Sequence, residues 1–430
     1  MKWVLDQLVA GIGARVVSGD PRVTIEGAAV DSRRAVDGRL FVGLVGETHD
    51  GGAFAPVALQ GGAAAALVGE SAWRAIADQV VREGWTVVVA PDPLGVLQEA
   101  GRRSLARSGA TVVGITGSVG KTTTKDILVA MLQAAGVRVH GTAGNQNTEV
   151  GIPLSLVDLP EHTEVAVVEM GMRGTGQIAE LVGLAKPHVA CVTAVAPVHL
   201  ELLESVESVA AAKAEILSEL GDGDIAVVPA DDTLLAPFLR TLPPGVEVRR
   251  FDQLPDGVNI TLTKAWQQRD AAAAWECCVA LGHVPPDGAV IEVELSAMRG
   301  QERALAGGGI LIDDCYNANP VAMRAALRDL AERGGRRVAV LGDMMELGPD
   351  ETRFHREIGE FVAELGVDVL VAVGSRAANY VIGAAGVPAV QFADSSAAAR
   401  DIANVLEPGD TVLVKGSRSV ALERVCEALA

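Results

Sequence analysis

Residues Gly114 to Lys125 read Gly-Ile-Thr-Gly-Ser-Val-Gly-Lys-Thr-Thr-Thr-Lys, and no other stretch of the chain limits its fold so sharply. A β-branched run, Thr111 to Ile115, enters this Gly-rich turn, and helix-forming sequence from Asp126 through Leu132 leaves it. Strand, loop and helix N-terminus in that order make a phosphate cradle. Small glycines let backbone N–H groups face an anion, and the helix dipole favours the same charge. In such a cradle Lys121 reaches the outer phosphates and the Thr122 hydroxyl holds Mg²⁺. The loop follows Gly-x-x-Gly-Lys-Thr from Gly117 through Ser118, Val119 and Gly120 to Thr122 and Thr123. Where the longer pattern has its first glycine, this chain has Ile115. An ATP-type phosphate site is the expectation, against a plain Gly-rich turn.

The rest of the chain is organised around that unit. At 430 residues it has room for about three domains. The first, residues 1–108, has short β-like runs at Val23–Ile25, Leu40–Val45, Ala65–Val68 and Thr86–Val89, and ends in a helical stretch, Leu94 to Arg107. The second, 109–284, alternates strands (Val165–Val168, Val189–Thr193, Ile225–Val228) with helices, one of them near Val206–Leu220. The third, 285–430, alternates more regularly, with strands near Gly309–Ile312, Arg337–Leu341, Val369–Val373 and Thr411–Val414. That pattern predicts an α/β protein with parallel sheets and right-handed crossovers. Aromatic residues are only 3% of the chain, so its cores must be built from Ala, Val and Leu.

Charge and cysteines exclude several classes. A net charge of −19 with no long basic stripe argues against nucleic-acid binding. Anionic ligands then need local Lys, Arg and N–H groups to override the global field. No apolar stretch approaches the roughly 18 residues of a membrane span, and Asp6 and Gln7 stand where a signal peptide needs its apolar centre. A cytoplasmic monomer without membrane insertion is expected. The five cysteines lack C-x-x-C spacing, so they read as buried small hydrophobes rather than a disulfide or zinc framework.

In open α/β sheets ligands bind at the carboxyl ends of strands, which directs attention to the residues just after each one. Glu169 follows Val168 and suits a Mg²⁺ ligand, since Mg²⁺ prefers oxygen donors; a solvated strand-end Glu is an equal reading. His199, in Pro-Val-His-Leu-Glu, is by itself more often a structural residue than a ligand. Lys213, on a small-residue helix, reads by itself as a surface lysine.

Together these signals form a pattern. The P-loop, then Gly144-Asn145-Gln146-Asn147-Thr148-Glu149, then Val-Glu-Met-Gly at 168–171, then Ala-x-x-x-Lys-Ala-Glu around Lys213, resembles the Mur ligases, the ATP-dependent amino-acid-adding enzymes of peptidoglycan synthesis. Asp313-Asp314-Cys315-Tyr316-Asn317-Ala318-Asn319-Pro320, Leu341-Gly342-Asp343-Met344-Met345-Glu346-Leu347-Gly348 and Val414-Lys415-Gly416-Ser417-Arg418 look like the D-alanyl-D-alanine-adding branch. The resemblance spans nearly the whole chain. It implies three domains: a UDP-binding unit, a P-loop ATPase-like sheet and a Rossmann-like ligase unit. It implies ATP and Mg²⁺ as cofactors, with UDP-N-acetylmuramoyl-tripeptide and D-Ala-D-Ala as substrates, joined through an acyl phosphate.

By the same resemblance, Lys121 and Thr122 handle phosphates and the first metal ion, and Glu169 and His199 are further metal ligands. Lys213 matches a lysine carbamylated by CO₂. Asn145 and Asn147 match a loop near the γ-phosphate and the acceptor carboxylate. Arg299 grips a phosphate, and Asp314, Asn317 and Asn319 belong to the nucleotide motif of the third domain. Asp31, Ser32 and Arg33, the Gly46–Gly51 turn and Lys415 fall to the substrate.

One stretch departs from the pattern. Where the family's helix opens with His-Asn-x-x-Asn, this chain has Trp266-Gln267-Gln268-Arg269-Asp270, and the region from Asp231 to Lys264 looks short. Both changes bear on adenine binding, because an ionised Asp cannot donate a hydrogen bond as Asn does. A ligase with another amine acceptor and a non-catalytic UDP-sugar-peptide-binding paralogue are the alternative readings.

Overall fold

The structure, a computed structural model, describes residues 1–33, 36–144, 146–262 and 264–429. Among the described residues three large sheets follow one another along the chain, with two two-stranded ones beside them. The first orders its strands Arg15–Ser18, Val87–Val89, Ala65–Val68, Leu40–Val42 and Ala28–Ala29. Only Arg15–Ser18 runs antiparallel to its neighbour. The helix Pro93–Ser108 stops at Gly109, whose φ of 66° gives the left-handed C-cap that glycine adopts without strain. Its buried Val96, Leu97 and Ala100 share a core with Leu154 and Val157 of the central unit, and Arg39 pairs with Asp158 at 2.8 Å across the same joint.

The central sheet is entirely parallel, in the order Glu247–Phe251, Ile225–Pro229, Val189–Val192, Thr111–Thr116, Val165–Glu169, Val139–Gly141. Alternation along each inner strand supplies two cores. Val112, Ala166, Val168 and Ala190 face one side, and Val113, Ile115, Val167 and Cys191 face the other. Burial on both faces explains why these strands read as continuous apolar runs. On the second face the helix Ala265–Leu281 lays Ala271, Ala272 and Ala274 near Ile127, Leu128 and Met131 of the P-loop helix, Lys121–Ala134. Small residues do the packing that aromatics do elsewhere. Val290–Ile291 pairs with Asn259–Ile260, and Ile291 sits in this same core, so that stretch packs with the central unit.

The third sheet runs Gln301–Ala304, Ile310–Asp313, Thr411–Lys415, Arg337–Gly342, Val369–Val373, Ala389–Phe392. Its first strand alone is antiparallel. The α/β architecture expected from the alternation is therefore present. All five cysteines are buried and unpaired. Among the described residues no helix is long and apolar enough to cross a membrane.

Candidate active site

In the central sheet the strand Thr111–Thr116 lies between strands reached in opposite directions along the chain, so the crevice at its carboxyl end is the topological switch point where ligands bind. The P-loop occupies that position. Gly117 (φ 153°) and Gly120 (φ 82°) adopt conformations that favour glycine, and a Cβ on Gly117 would fall 2.0 Å from Thr193 Oγ1. The loop is braced from the neighbouring strand end. Ser118 N donates to the Ala194 carbonyl at 2.8 Å, and Ser118 Oγ accepts from Ala196 N at 2.9 Å. The segment 193–196, which continues to His199, is thus bonded to the phosphate loop.

Thr122 on the P-loop helix donates to Glu169 Oε2 at 2.8 Å, and Asn147 Nδ2 donates to Glu169 Oε1 at 2.8 Å. Hydroxyl, carboxylate and amide from three separate segments form one buried chain. Lys121 Nζ donates to the Gly117 carbonyl at 2.7 Å. Burial pulls its amine below the ordinary lysine range, Glu169 opposes that shift and Arg299 adds to it. Arg299 arrives from the start of the third unit. Its guanidinium lies 3.8 Å from the Tyr316 ring centroid and donates to Thr122 Oγ1 at 3.2 Å. Two cations and a helix N-terminus therefore converge on one spot, which is what a polyphosphate requires.

Lys213 is 1% exposed. Burial pushes its amine well below the usual lysine range, and neighbouring Lys121 pushes it further. The shift is toward the neutral amine, the form of lysine that acts as a nucleophile. The sequence alone suggested a surface lysine at this position; the structure corrects that. His199, at a left-handed φ of 54°, shares a hydrogen bond between Nδ1 and Glu346 Oε2 of the third unit. That bond, ahead of the nearby Arg173, holds the Glu346 carboxyl below its ordinary range.

In the third unit Lys415 Nζ donates to Asp314 Oδ2 at 2.7 Å and to the Asn317 carbonyl at 3.1 Å. The ammonium therefore binds the Asp314–Asn317 motif together. Asn319 Oδ1 accepts from Ala322 N at 2.9 Å and caps the helix Pro320–Ala331. In the first unit Arg33 closes an exposed turn on Asp31, with Nε 2.9 Å from Oδ1, and Ser32 lies between them. The 46–51 turn is closed by Gly46 N donating to the His49 carbonyl at 2.9 Å. Asn145 lies outside the described residues.

The departing stretch opens the helix Ala265–Leu281. Gln267 is buried and accepts from Lys264 N, and Arg269 forms a two-pronged pair with Asp231. Asp270 is buried beneath the P-loop with Oδ2 unpartnered, and burial holds its carboxyl well above the ordinary range against the pull of Arg269 and Arg299. Sequence reasoning left out Glu346, Thr193 and Tyr316 as site residues. Tyr316 and Glu346 stand inside the motifs quoted above, but their contacts, like that of Thr193, are made to other elements and cannot be read from those motifs.

Comparison with known proteins agrees with this geometry. Residues 115–257 match the Mur ligase middle domain, and residues 298–418 match the Mur ligase, glutamate ligase domain. The chain is 32% identical to the UDP-N-acetylmuramoyl-tripeptide--D-alanyl-D-alanine ligase of Escherichia coli, covering 99% of this chain and 98% of that one. It is 32% identical to the Bacillus subtilis enzyme of the same name, over 95% and 94% of the two chains. Among solved structures, MurF from Acinetobacter baumannii superposes with a TM-score of 0.84 at 26% identity, covering 100% of this chain and 99% of that one. MurF from Thermotoga maritima in complex with ADP gives 0.76 at 28%, over 94% and 97%. The chain belongs to the Mur ligase family, in its UDP-N-acetylmuramoyl-tripeptide--D-alanyl-D-alanine ligase (MurF) branch.

Proposed function

We propose that this protein joins D-Ala-D-Ala to UDP-N-acetylmuramoyl-tripeptide at the expense of ATP, acting in the cytoplasm as a monomer with Mg²⁺. The observation that carries the reading is the convergence of Lys121, Thr122, Glu169, Asn147 and Arg299 at the switch point of a chain whose relatives bear that name. A carboxylate oxygen of the tripeptide attacks the γ-phosphorus and ADP leaves, giving an acyl phosphate. The dipeptide amine then attacks that carbonyl carbon and loses a proton, and the tetrahedral intermediate expels phosphate.

Most of the protein's work is positioning and charge neutralisation. The P-loop N–H groups and Lys121 take the phosphates, and Arg299 holds charge from the third unit. Asn147 keeps Glu169 oriented. Mg²⁺, when bound, supplies further neutralisation at the transferred phosphoryl group. Thr122, Glu169 and His199 would hold it, with Lys213 once its amine had added to CO₂ and lost a proton. The donor set fits a hard divalent ion, because hydroxyl and carboxylate already lie 2.8 Å apart. Asp314, held by Lys415, would take the nucleotide ribose, with Asn317 and Asn319 in the same motif. The 31–33 and 46–51 turns would take the UDP end.

The test is ADP release with ATP, Mg²⁺ and UDP-N-acetylmuramoyl-tripeptide, with and without D-Ala-D-Ala. Release that needs the dipeptide, with a pentapeptide product by mass, is expected. Binding of the UDP-tripeptide without turnover would replace this reading with the non-catalytic one.

A further inference from the structure

A built contact between the second and third units lies away from the P-loop. Glu346, in the loop after the strand Arg337–Gly342, accepts from His199 Nδ1 and lies 3.6 Å from Arg173 Nε. Two residues on, Gly348 takes a φ of 66° and brings its backbone onto the 199–203 turn, where a Cβ would sit 3.2 Å from the Leu200 carbonyl carbon. Leu200 packs against the cores of both units. Glu346 itself holds a left-handed φ of 63°, matching the 54° of His199. Non-glycine residues adopt that conformation at a cost, and paired cases facing each other across an interface mark a constraint on both.

The chemistry of imidazole gives the contact its meaning. A ring that donates through Nδ1–H to a carboxylate is fixed as one tautomer, and Nε2 keeps the only available lone pair. A carboxylate behind a histidine in this way also raises its basicity as a ligand. We propose that Glu346 is a positioning residue for His199, fixing its tautomer from the third unit so that the metal-binding set is complete only while that unit is docked. Docking and readiness for the ion are then one event, and Arg173 and Gly348 hold the carboxylate in register. The inference rests on the assignment of His199 as a metal ligand under the proposed function.

The test is an electron paramagnetic resonance titration of Mn²⁺ into the full-length protein with a non-hydrolysable ATP analogue. Glu346→Ala is expected to weaken Mn²⁺ binding roughly tenfold, with metal-free nucleotide affinity unchanged and Glu346→Gln, which keeps an acceptor oxygen, recovering most of the loss. In a His199→Ala background the Glu346 change should add less than twofold. An unchanged Mn²⁺ affinity, or the same tenfold loss in that background, overturns the proposal. In the unmodified protein, ¹⁵N-histidine spectra should show His199 protonated at Nδ1, and protonation at Nε2 alone overturns it without any variant. A protein that fails to ligate still reports through Mn²⁺, whereas full turnover with unchanged Mn²⁺ affinity sinks this inference alone.

Discussion

Asp270 lies directly against Gly120: a Cβ built on that glycine would come 2.2 Å from Asp270 Oδ1, so the buried carboxyl and the phosphate loop leave each other no spare room. The contact fixes how this acid behaves. Its folded-state value is raised above the ordinary 3.8, so the folded protein keeps a proton that the unfolded chain releases. Stability contributed by Asp270 is then lost as pH rises from about 4 towards the raised value. Asp270→Asn carries no titrating proton. In urea titrations it should be more stable than the parent near pH 8 by about 1–3 kcal/mol, with the difference closing near pH 4. A parent that is the more stable form near pH 8 would show that the charge is used.

Burial shifts Lys213 toward its neutral amine, so bicarbonate should modify it. With ¹³C-bicarbonate a carbamate resonance is expected in the parent and none in Lys213→Arg. That variant should lose roughly 10²-fold or more in turnover, the scale of one removed stabilising group at a transition state. A carbamate signal surviving the substitution would reassign the site.

Arg299 combines a planar stack on Tyr316 with a hydrogen bond to Thr122. Lysine reproduces its charge but neither the plane nor the fork. Arg299→Lys should therefore reduce kcat by about 10²-fold with an unchanged melting temperature. Steady-state kinetics beside a thermal melt separates this from simple unfolding.

Lys415 and Asp314 form a buried pair, with side chains 4% and 16% exposed. Removing one partner strands the other, at about 3–5 kcal/mol. Lys415→Met should show that loss in denaturant unfolding, and adding Asp314→Asn should restore most of it. A double variant no better than the single one would mean that the pair contributes through packing alone.

The strands legible in the sequence are the inner ones of each sheet. Ala65–Val68, Val112–Ile115 within Thr111–Thr116, and Val369–Val373 have no polar side chain because both faces are covered. Within the three large sheets, the six strands not anticipated are all edges: Arg15–Ser18, Ala28–Ala29, Val139–Gly141, Glu247–Phe251, Gln301–Ala304 and Ala389–Phe392. Glu-Val-Arg-Arg-Phe and Gln-Glu-Arg-Ala carry charges that protect an unpaired edge, and the same charges erase the pattern a strand is read from. The site divides in a similar way. Lys121, Thr122 and Glu169 follow from strand-end logic within one unit. Glu346 gains its role only when the third unit docks, and the resemblance carries Tyr316 within a motif without its stack on Arg299.

Leu200 completes two cores at once, so the seam between the second and third units is greasy as well as polar. Apolar contact weakens on cooling, whereas hydrogen bonds do not follow that trend. The apolar share of that attachment therefore weakens on cooling, while the His199–Glu346 bond across the same seam does not follow it.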